Sequence, residues 1–285
     1  MKLIKQSFEF INQTDFSLVG IKKHIERCAR VSYKSENKIT DTSYEKFVNM
    51  LESRGHNRPL EFGTVYLTLR GDDTDALRNI FIYTENPWTK IRKQVIKAEY
   101  DPNIHVVLNH VTTNYRVIVE NHLEEDLKYL CEPTEHHIKR YTLLCTTALH
   151  CYKDLTRHRK FSFAIESTRY CNYNNTKKFG EMTFIKPTWY DNSSKMQKFI
   201  FKGFLKLVEK CYKFFIVSGW QAQQAAEVLP QCIKGDMIIT GFEGDWKHLL
   251  DLRYKGTTGA PHPMVKELAT LIKNELEKQG FKYEC

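Results

Sequence analysis

The sequence predicts an α+β fold, because helical and strand patterns alternate along one chain of 285 residues. Segments with apolar side chains three and four residues apart occur near both ends, and segments with alternating apolar and polar side chains lie between them. With 41% hydrophobic residues, the chain can bury a substantial core. No repeat, low-complexity tract or change in composition marks a linker, so we expect a single domain over residues 1–285.

The first half of the chain is predicted to form two helices followed by strands. A helical repeat of apolar side chains extends over residues 17–32, and Thr42 with Glu45 forms a capping box before a second helix, which Gly55 ends. Residues 63–69 alternate between apolar and polar, as a half-buried strand does. Further strands are predicted at residues 104–108, 115–119 and 140–147.

The second half is predicted to contain three helices. An amphipathic pattern extends over residues 194–218, and another over residues 262–278, where Pro263 suits the first helical position. A shorter helix is predicted over residues 244–253. This prediction places Arg253 near a helix terminus.

The charge balance favours anionic partners. The net charge of +9 suits nucleotides, polyglutamylated folates, nucleic acid or a membrane surface. Basic residues are spread along the chain rather than concentrated in one tract, which disfavours an extended nucleic-acid surface. No apolar run approaches the length of a membrane span, and the amino terminus has no cleavage pattern. We therefore expect a cytoplasmic protein without membrane contact.

The eight cysteines do not predict disulfides or a metal site. No Cys-x-x-Cys pair and no Cys/His spacing typical of zinc occurs, so a reduced chain follows. His136 and His137 with Cys145 or Cys151 do not form a closed ligand set either. No metal is expected.

Fixed positive charge, an imidazole, a carboxylate and hydroxyls occur together within residues 157–170, which read Arg-His-Arg-Lys-Phe-Ser-Phe-Ala-Ile-Glu-Ser-Thr-Arg-Tyr. Arginine presents a planar fork of donors that matches phosphate oxygens in pairs, so Arg157, Arg159 and Arg169 suit a phosphorylated ligand. In a helix over residues 151–159, Arg157 and Arg159 would lie about 200° apart and would contact different partners. Ser167 lacks a Gly-x-Ser-x-Gly elbow and an assigned base, which disfavours a nucleophilic serine.

The Arg-His-Arg segment followed after seven residues by Ser167 resembles the signature of the flavin-dependent thymidylate synthases. Glu166 to Tyr170 continues the resemblance, and similar blocks occur in order from about residue 20 to 270. These blocks comprise residues 55–64 and 225–230, Asp245-Trp246 and Leu252-Arg253. Residues from about 71 to 135 resemble an ordered insertion relative to compact family members.

The resemblance implies a mainly antiparallel sheet flanked by helices and a homotetramer whose sites are assembled between subunits. It also implies reductive methylation of dUMP to dTMP, with 5,10-methylenetetrahydrofolate and NADPH as co-substrates and FAD as the cofactor. Such chemistry needs a hydride donor, which no ordinary side chain supplies. Unrelated thymidylate synthases use a cysteine in a Pro-Cys-His context, whereas Cys232 lies between Gln231 and Ile233, so that mechanism is disfavoured.

Roles carried over from the family fall into two groups. The cofactor-binding residues are Arg157, His158, Arg159 and Thr64. The substrate-binding residues are Asp154, Glu166, Ser167, Arg169 and Arg253, of which Ser167 and Arg253 are also assigned to catalysis.

Three positions depart from the family pattern. Phe62 replaces a histidine near the flavin, Ala226 replaces an arginine on the nucleotide side, and Ala164 replaces an asparagine within the motif. The first two losses keep two alternatives open. One is a related flavoenzyme that adds another one-carbon group to a pyrimidine nucleotide, and the other is a non-catalytic nucleotide-binding or RNA-binding paralogue.

Overall fold

Three β-sheets and their packed helices form the described part of the chain, which comprises residues 1–98, 101, 103–175 and 181–283 of a computed structural model. The strands are β1 (Lys2–Ile4), β2 (Ser7–Phe10), β3 (Thr64–Arg70), β4 (Lys90–Lys97), β5 (His105–Asn114), β6 (Arg140–Ala148), β7 (Ser162–Ile165), β8 (Thr183–Ile185) and β9 (Lys234–Phe242). The helices are α1 (Leu18–Ala29), α2 (Ser43–Ser53), α3 (Thr74–Leu77), α4 (Ile80–Glu85), α5 (Tyr115–Glu120), α6 (Leu149–Leu155), α7 (Lys195–Val217), α8 (Ala222–Ala225), α9 (Glu243–Leu250) and α10 (Pro263–Lys278). The predicted α+β class is confirmed.

The central sheet has four antiparallel strands in the order β2-β6-β9-β7. Leu143 and Ile239 pair across β6 and β9 and pack against a core that includes α9 and α10. On the other face, Ile238 packs in a cluster with Cys28 of α1. Each buried leucine or isoleucine contributes roughly 1.5–3 kcal/mol. Burial on both faces explains why β6 and β9 are rich in apolar residues.

The second sheet has the order β3-β5-β4 and is also antiparallel. Val65 and Leu67 pack with helices α1 and α2, as the alternating pattern predicts. The expectation of a half-buried strand is wrong at the start of β3, because Thr64 and Tyr66 on the opposite face are buried as well. The ring of Tyr66 lies 5.2 Å from that of His137, which covers this face.

Two local predictions from the first half are wrong. Residues 115–119 form helix α5 instead of a strand, because the Asn114 side chain accepts a hydrogen bond from the Val117 backbone and caps the helix. This cap overrides the strand propensity of the β-branched residues. The side chain of Thr42 makes no capping hydrogen bond, although α2 begins at the next residue.

The longer predicted helices are confirmed, and the structure shows which residues cap them. Ser17 caps α1 by accepting from the Gly20 backbone, and Ser194 forms a capping box with Gln197 at the start of α7. Pro263 is the first residue of α10. Gly55 ends the α2 segment with a φ of 64°, which favours glycine. Within the described ranges, no helix is both long and apolar enough to cross a membrane.

The segment from about residue 71 to 135 supplies ordered structure. It contains β4 and β5 and the short helices α3, α4 and α5, and it shares a hydrophobic core with α1 and α2. Residues 99, 100 and 102 lie outside the described residues. Two expectations remain predictions: that this segment is an insertion relative to compact family members, and that residues 1–285 form a single domain.

Candidate active site

The Arg157-His158-Arg159 segment lies in a turn between α6 and β7. Helix α6 ends at Leu155, and the backbone N–H of His158 donates to the Leu155 carbonyl at 3.1 Å. A helix through residue 159, with its arginines about 200° apart, is therefore wrong. The turn exposes both arginine side chains and buries the imidazole between them.

His158, Asp154 and Arg253 form a cluster that joins distant parts of the sequence. Nε of Arg253 donates to Nε2 of His158 at 3.1 Å, and its Nη2 donates to the Asp154 backbone carbonyl at 2.8 Å. Nη1 of Arg253 lies 3.6 Å from the Asp154 carboxylate. Burial, together with the neighbouring Arg253 and His248, lowers the pKa of His158 to about 4. The imidazole is therefore neutral at pH 7 and accepts through Nε2.

Arg253 reaches this position because α9 is followed by a π-helical turn over Asp251–Lys255. Gly256 ends the turn with a φ of 77°, a conformation that favours glycine. His158 and Arg253 of this cluster line a cleft of about 360 Å³. The charged lining residues are four cations and one carboxylate: Arg157, Arg159, Lys160, Arg253 and Asp245. The cleft therefore favours an anionic ligand.

Glu166 lies in a buried network of charges. Its carboxylate accepts hydrogen bonds from Nζ of Lys234 at 3.1 Å, from the backbone N–H of Asp236 at 3.0 Å and from the hydroxyl of Tyr173 at 3.0 Å. Nζ of Lys34 donates to the Asp236 carboxylate and lies 3.6 Å from Glu166. Two ammonium and two carboxylate groups thus balance one another, as buried charges require.

The pKa values in this network show that pairing outweighs burial. Burial alone would raise the pKa of Asp236, but Lys234 and Lys34 bring it below its usual value. Burial alone would lower the pKa of Lys34, but Asp236 and Glu166 raise it above its usual value. Lys34 also has a φ of 48° and a ψ of 53°, which non-glycine residues seldom adopt. The network therefore holds a strained backbone next to Glu166.

A second cleft, of about 600 Å³, is formed by α1, α2, β7 and neighbouring turns. Its lining is mostly apolar and includes Phe62 and Ser167. Phe62 is 2% exposed and packs with Val31 and Cys28, so this departure provides an apolar wall. The backbone N–H of Ser167 donates to the Ser32 carbonyl at 3.0 Å. Ser167 and the Arg-His-Arg segment therefore line different clefts of one chain.

Arg169 and Thr64 have different surroundings. Nε of Arg169 donates to the Gln223 side chain at 3.0 Å, and its exposed guanidinium lies 5.2 Å from the Tyr170 ring. Thr64 is buried in β3, where its hydroxyl accepts from Nη1 of Arg140 at 3.1 Å. The structure thus places the Thr64 hydroxyl in an internal contact. Its assignment to the cofactor stays a prediction, like the other assigned roles.

Sequence reasoning missed Lys34, Lys234 and Asp236. Lys234 and Asp236 alternate on β9, where the following residues are mostly apolar, and this pattern was an available signal. Lys34 gave no local signal, because its partner Asp236 is 202 residues away in the sequence.

The surroundings of Cys232 disfavour a nucleophilic thiol. Burial raises the pKa of Cys232 to about 11, so its thiol is protonated at neutral pH and is a poor nucleophile. Within the described part of the chain, no group of three or more His, Cys, Asp or Glu side chains is placed to hold a metal ion.

The cationic cleft fits the anionic part of a dinucleotide such as FAD. Arg159 makes no hydrogen bond or ion pair to a described residue, and Arg157 forms an exposed ion pair of 3.9 Å with Asp154. Both guanidinium groups therefore keep donors for phosphate oxygens. Phe161 adds an aromatic wall to the same cleft.

Residues 109–279 match the sequence model of a family described as thymidylate synthase complementing protein. The chain belongs to this family. The match includes the Arg-His-Arg segment, Ser167 and Arg253, and it confirms the resemblance to this family. It begins inside the segment from 71 to 135 that we interpret as an insertion.

Two similar solved structures are those of a UMP/dUMP methylase, PolB, from Streptomyces cacaoi. The structure bound with 5-Br UMP has a TM-score of 0.46 and 15% identity, over 98% of this chain and 92% of that chain. The structure bound with 5-Br dUMP has a TM-score of 0.45 and 16% identity, over 98% of this chain and 93% of that chain. No curated protein sequence matches this chain.

Proposed function

We propose that this protein is an FAD-dependent thymidylate synthase that methylates dUMP to dTMP. The one-carbon unit comes from 5,10-methylenetetrahydrofolate and the reducing equivalents come from NADPH. The observation that carries the proposal is the convergence of His158 and Arg253, 95 residues apart, in one cationic cleft of a member of this family. FAD, when bound, supplies the hydride that reduces the transferred methylene to methyl.

The cofactor side is assigned to the Arg-His-Arg turn. The exposed guanidinium groups of Arg157 and Arg159 bind the phosphate and flavin oxygens by charge-assisted hydrogen bonds. His158 is buried, so we assign it to orienting Arg253, whose Nε donates to its Nε2. Because the pKa of His158 is about 4, the imidazole is neutral at pH 7 and its Nε2 accepts from Arg253.

The nucleotide side is assigned to Asp154 and to the segment from Glu166 to Arg169, together with Arg253. The exposed fork of Arg169 binds the dUMP phosphate, and the Ser167 hydroxyl positions the uracil by a hydrogen bond. Glu166 is held by Lys234 and by the Asp236 backbone, so it fixes the backbone of this segment. Arg253 donates to the uracil or sugar, with its guanidinium held by the Asp154 carbonyl.

A homotetramer is part of the proposal. Ser167 and the Arg-His-Arg segment line separate clefts in one chain. Neighbouring copies that bring these clefts together would complete a site that uses both sets of residues, and closed symmetric assembly satisfies such surfaces.

The decisive experiment is a product assay. Purified protein reconstituted with FAD is incubated with NADPH, dUMP and isotopically labelled methylenetetrahydrofolate, and labelled dTMP is expected. The same assay with UMP, which differs from dUMP by its 2′-hydroxyl, is the matched comparison. A colourless protein that takes up no FAD and forms no labelled nucleotide would contradict the proposal and favour a nucleotide-binding module.

Two variants distinguish the proposed mechanism from one that uses a cysteine or serine nucleophile. Cys232→Ser should retain activity, because burial keeps the thiol protonated. Ser167→Ala should reduce turnover without removing FAD, because the hydroxyl positions the nucleotide. A covalent adduct of fluorinated dUMP on Ser167, found by mass spectrometry, would instead make this serine a nucleophile.

A further inference from the structure

Helix α7 presents a long apolar face to solvent. Seven large apolar side chains on it are exposed, and we call them the α7 face: Met196, Phe199, Ile200, Phe204, Leu207, Phe214 and Val217. The inward side of α7 packs on the chain's own core through buried Leu205, Val208 and Tyr212 and partly buried Phe201, Phe215 and Ile216. The helix is therefore apolar on its outward side as well, where an ordinary surface helix is polar.

The area of the α7 face is that of a protein interface. Three of the seven side chains are phenylalanines, each with roughly 150–250 Å² of surface when whole, and the seven residues are 50–79% exposed, so together they present on the order of 800 Å². The largest apolar patch of a typical monomer is about 300–600 Å². A stable interface needs about 800 Å² from each partner. The face therefore exceeds an ordinary surface patch and is comparable in size to one side of a stable interface.

Gly203 lies in the middle of the α7 face. Because it has no side chain, it leaves a notch between the neighbouring large residues. A Cβ built on Gly203 meets no atom within 4 Å, so glycine is not required for packing inside the chain. Glycine in a helix interior is unfavourable, and at an interface it lets a second helix approach closely. A lipid surface gains nothing from such a notch. The notch therefore favours a second helix as the occupant.

One antiparallel register of α7 places a large side chain against the notch at Gly203. In an antiparallel pair of α7 helices related by a two-fold axis near residue 205, Met196 lies opposite Phe214 of the partner copy's equivalent helix. In the same register Gly203 lies opposite the equivalent of Leu207, so a large side chain fills the notch. Exposed Lys210 lies within the face between Gly203 and Phe214, and in this register it is opposite the partner copy's Ile200. Its methylene stem can pack on that isoleucine only if its ammonium group extends to the solvent at the rim.

Lysines lie along one edge of the α7 face. At 100° per residue, Lys195, Lys202, Lys206 and Lys213 fall within about 40° of one another. An apolar core with a charged rim is the ordinary anatomy of a protein interface. In the antiparallel pair, the lysine edges of both copies lie on the same side, so they repel each other mildly through solvent.

We propose that the α7 face is a self-association interface, in which α7 packs antiparallel on α7 of a second copy of this chain. The proposal deepens the proposed function, because it assigns one interface of the homotetramer. It rests on the exposed apolar residues, the Gly203 notch and the area of the face.

The test compares two phenylalanines of equal exposure. Phe199 on the α7 face is 76% exposed, and Phe81 on α4 is 77% exposed. Light scattering and sedimentation of the full chain should show that Phe199→Glu lowers the mass of the assembly at least about twofold. Phe81→Glu should keep the wild-type mass. A monomeric wild-type chain of 33.7 kDa, or an unchanged mass for Phe199→Glu, would overturn the proposal.

A second variant and a salt series separate a second copy from an anionic membrane. Gly203→Leu should fold at least as stably as the wild type, because the position is open and leucine is the better helix former. It should nevertheless weaken the assembly, because it fills the notch. Added salt should strengthen self-association by screening the lysine edges. Binding to anionic vesicles that increases in Gly203→Leu and falls with salt would assign the face to lipid and overturn the proposal.

The same samples distinguish this inference from the proposed function. Assembly that depends on Phe199, in a protein that binds neither FAD nor dUMP, contradicts the proposed enzyme and leaves the interface intact. A wild-type protein that forms dTMP, with assembly insensitive to both α7 variants, contradicts the interface alone.

Discussion

Replacing Lys34 with methionine tests the buried charge network around Glu166. Lys34 contributes an ammonium group that donates to Asp236 and lies 3.6 Å from Glu166, while its side chain is 19% exposed. Removing one partner of a buried ion pair costs roughly 3–5 kcal/mol. Lys234 still faces both carboxylates, so we expect a loss of about 2–3 kcal/mol.

The assay is thermal unfolding at a fixed protein concentration, since assembly shifts the apparent stability. At roughly 2–4 °C per kcal/mol, Lys34→Met should lower the melting temperature by about 4–12 °C. Lys38→Met is the matched control, because Lys38 is exposed and forms no ion pair with a described residue. The control should stay within about 0.5 kcal/mol of the wild type. An equally small effect of Lys34→Met would refute the reasoning.

The pH dependence supplies a second readout with a defined sign. The pKa of Asp236 is lowered on folding, so its stabilisation is present above the unfolded value of 3.8 and is lost as the pH falls through the folded-state pKa. Without Lys34 that pKa moves up towards the unfolded value, so less stability is lost on acidification and the loss is complete at a higher pH. The pKa of Lys34 is raised, so its own stabilisation is present below 10.5 and is lost as the pH rises through its folded-state pKa. The wild type and the variant should therefore converge at alkaline pH.

Three further outcomes are expected. Arg157→Ala and Arg159→Ala should each weaken FAD retention more than they lower the melting temperature, because both side chains are exposed. Unchanged flavin absorbance in both variants would contradict the assignment of these arginines to FAD binding. Arg169→Ala and Arg253→Ala should each raise the dUMP dissociation constant by about one to two powers of ten, because each loses a charged hydrogen bond of roughly 1.5–3 kcal/mol. Calorimetry that shows equal or tighter dUMP binding would exclude these contacts. NMR titration should find the pKa of His158 near 4 in the wild type and at a higher value in Arg253→Met. Because this pKa is lowered on folding, the stability of the wild type should fall as the pH drops from 6.5 through about 4. A titration of His158 near 6.5 in the wild type would contradict the buried cluster.

The sequence by itself determined the elements whose signals are local. The apolar repeats of α1, α7 and α10 depend on residues within one or two turns, so the sequence alone was sufficient to predict these helices. The order of Arg157, His158, Arg159 and Ser167 also lies in the sequence and was sufficient to predict the family.

Tertiary structure decided which of these residues meet. Arg253 contacts His158 because a π-helical turn after α9 brings two segments together that no periodic pattern connects. Strand propensity at residues 115–119 yielded to a cap from Asn114 and to packing against the core. Glu166 was predicted as a ligand-binding residue, but its immediate partners, Lys34 and Lys234, come from a turn after α1 and from β9. Burial makes such charges pair, and only the folded chain determines which partners are within reach.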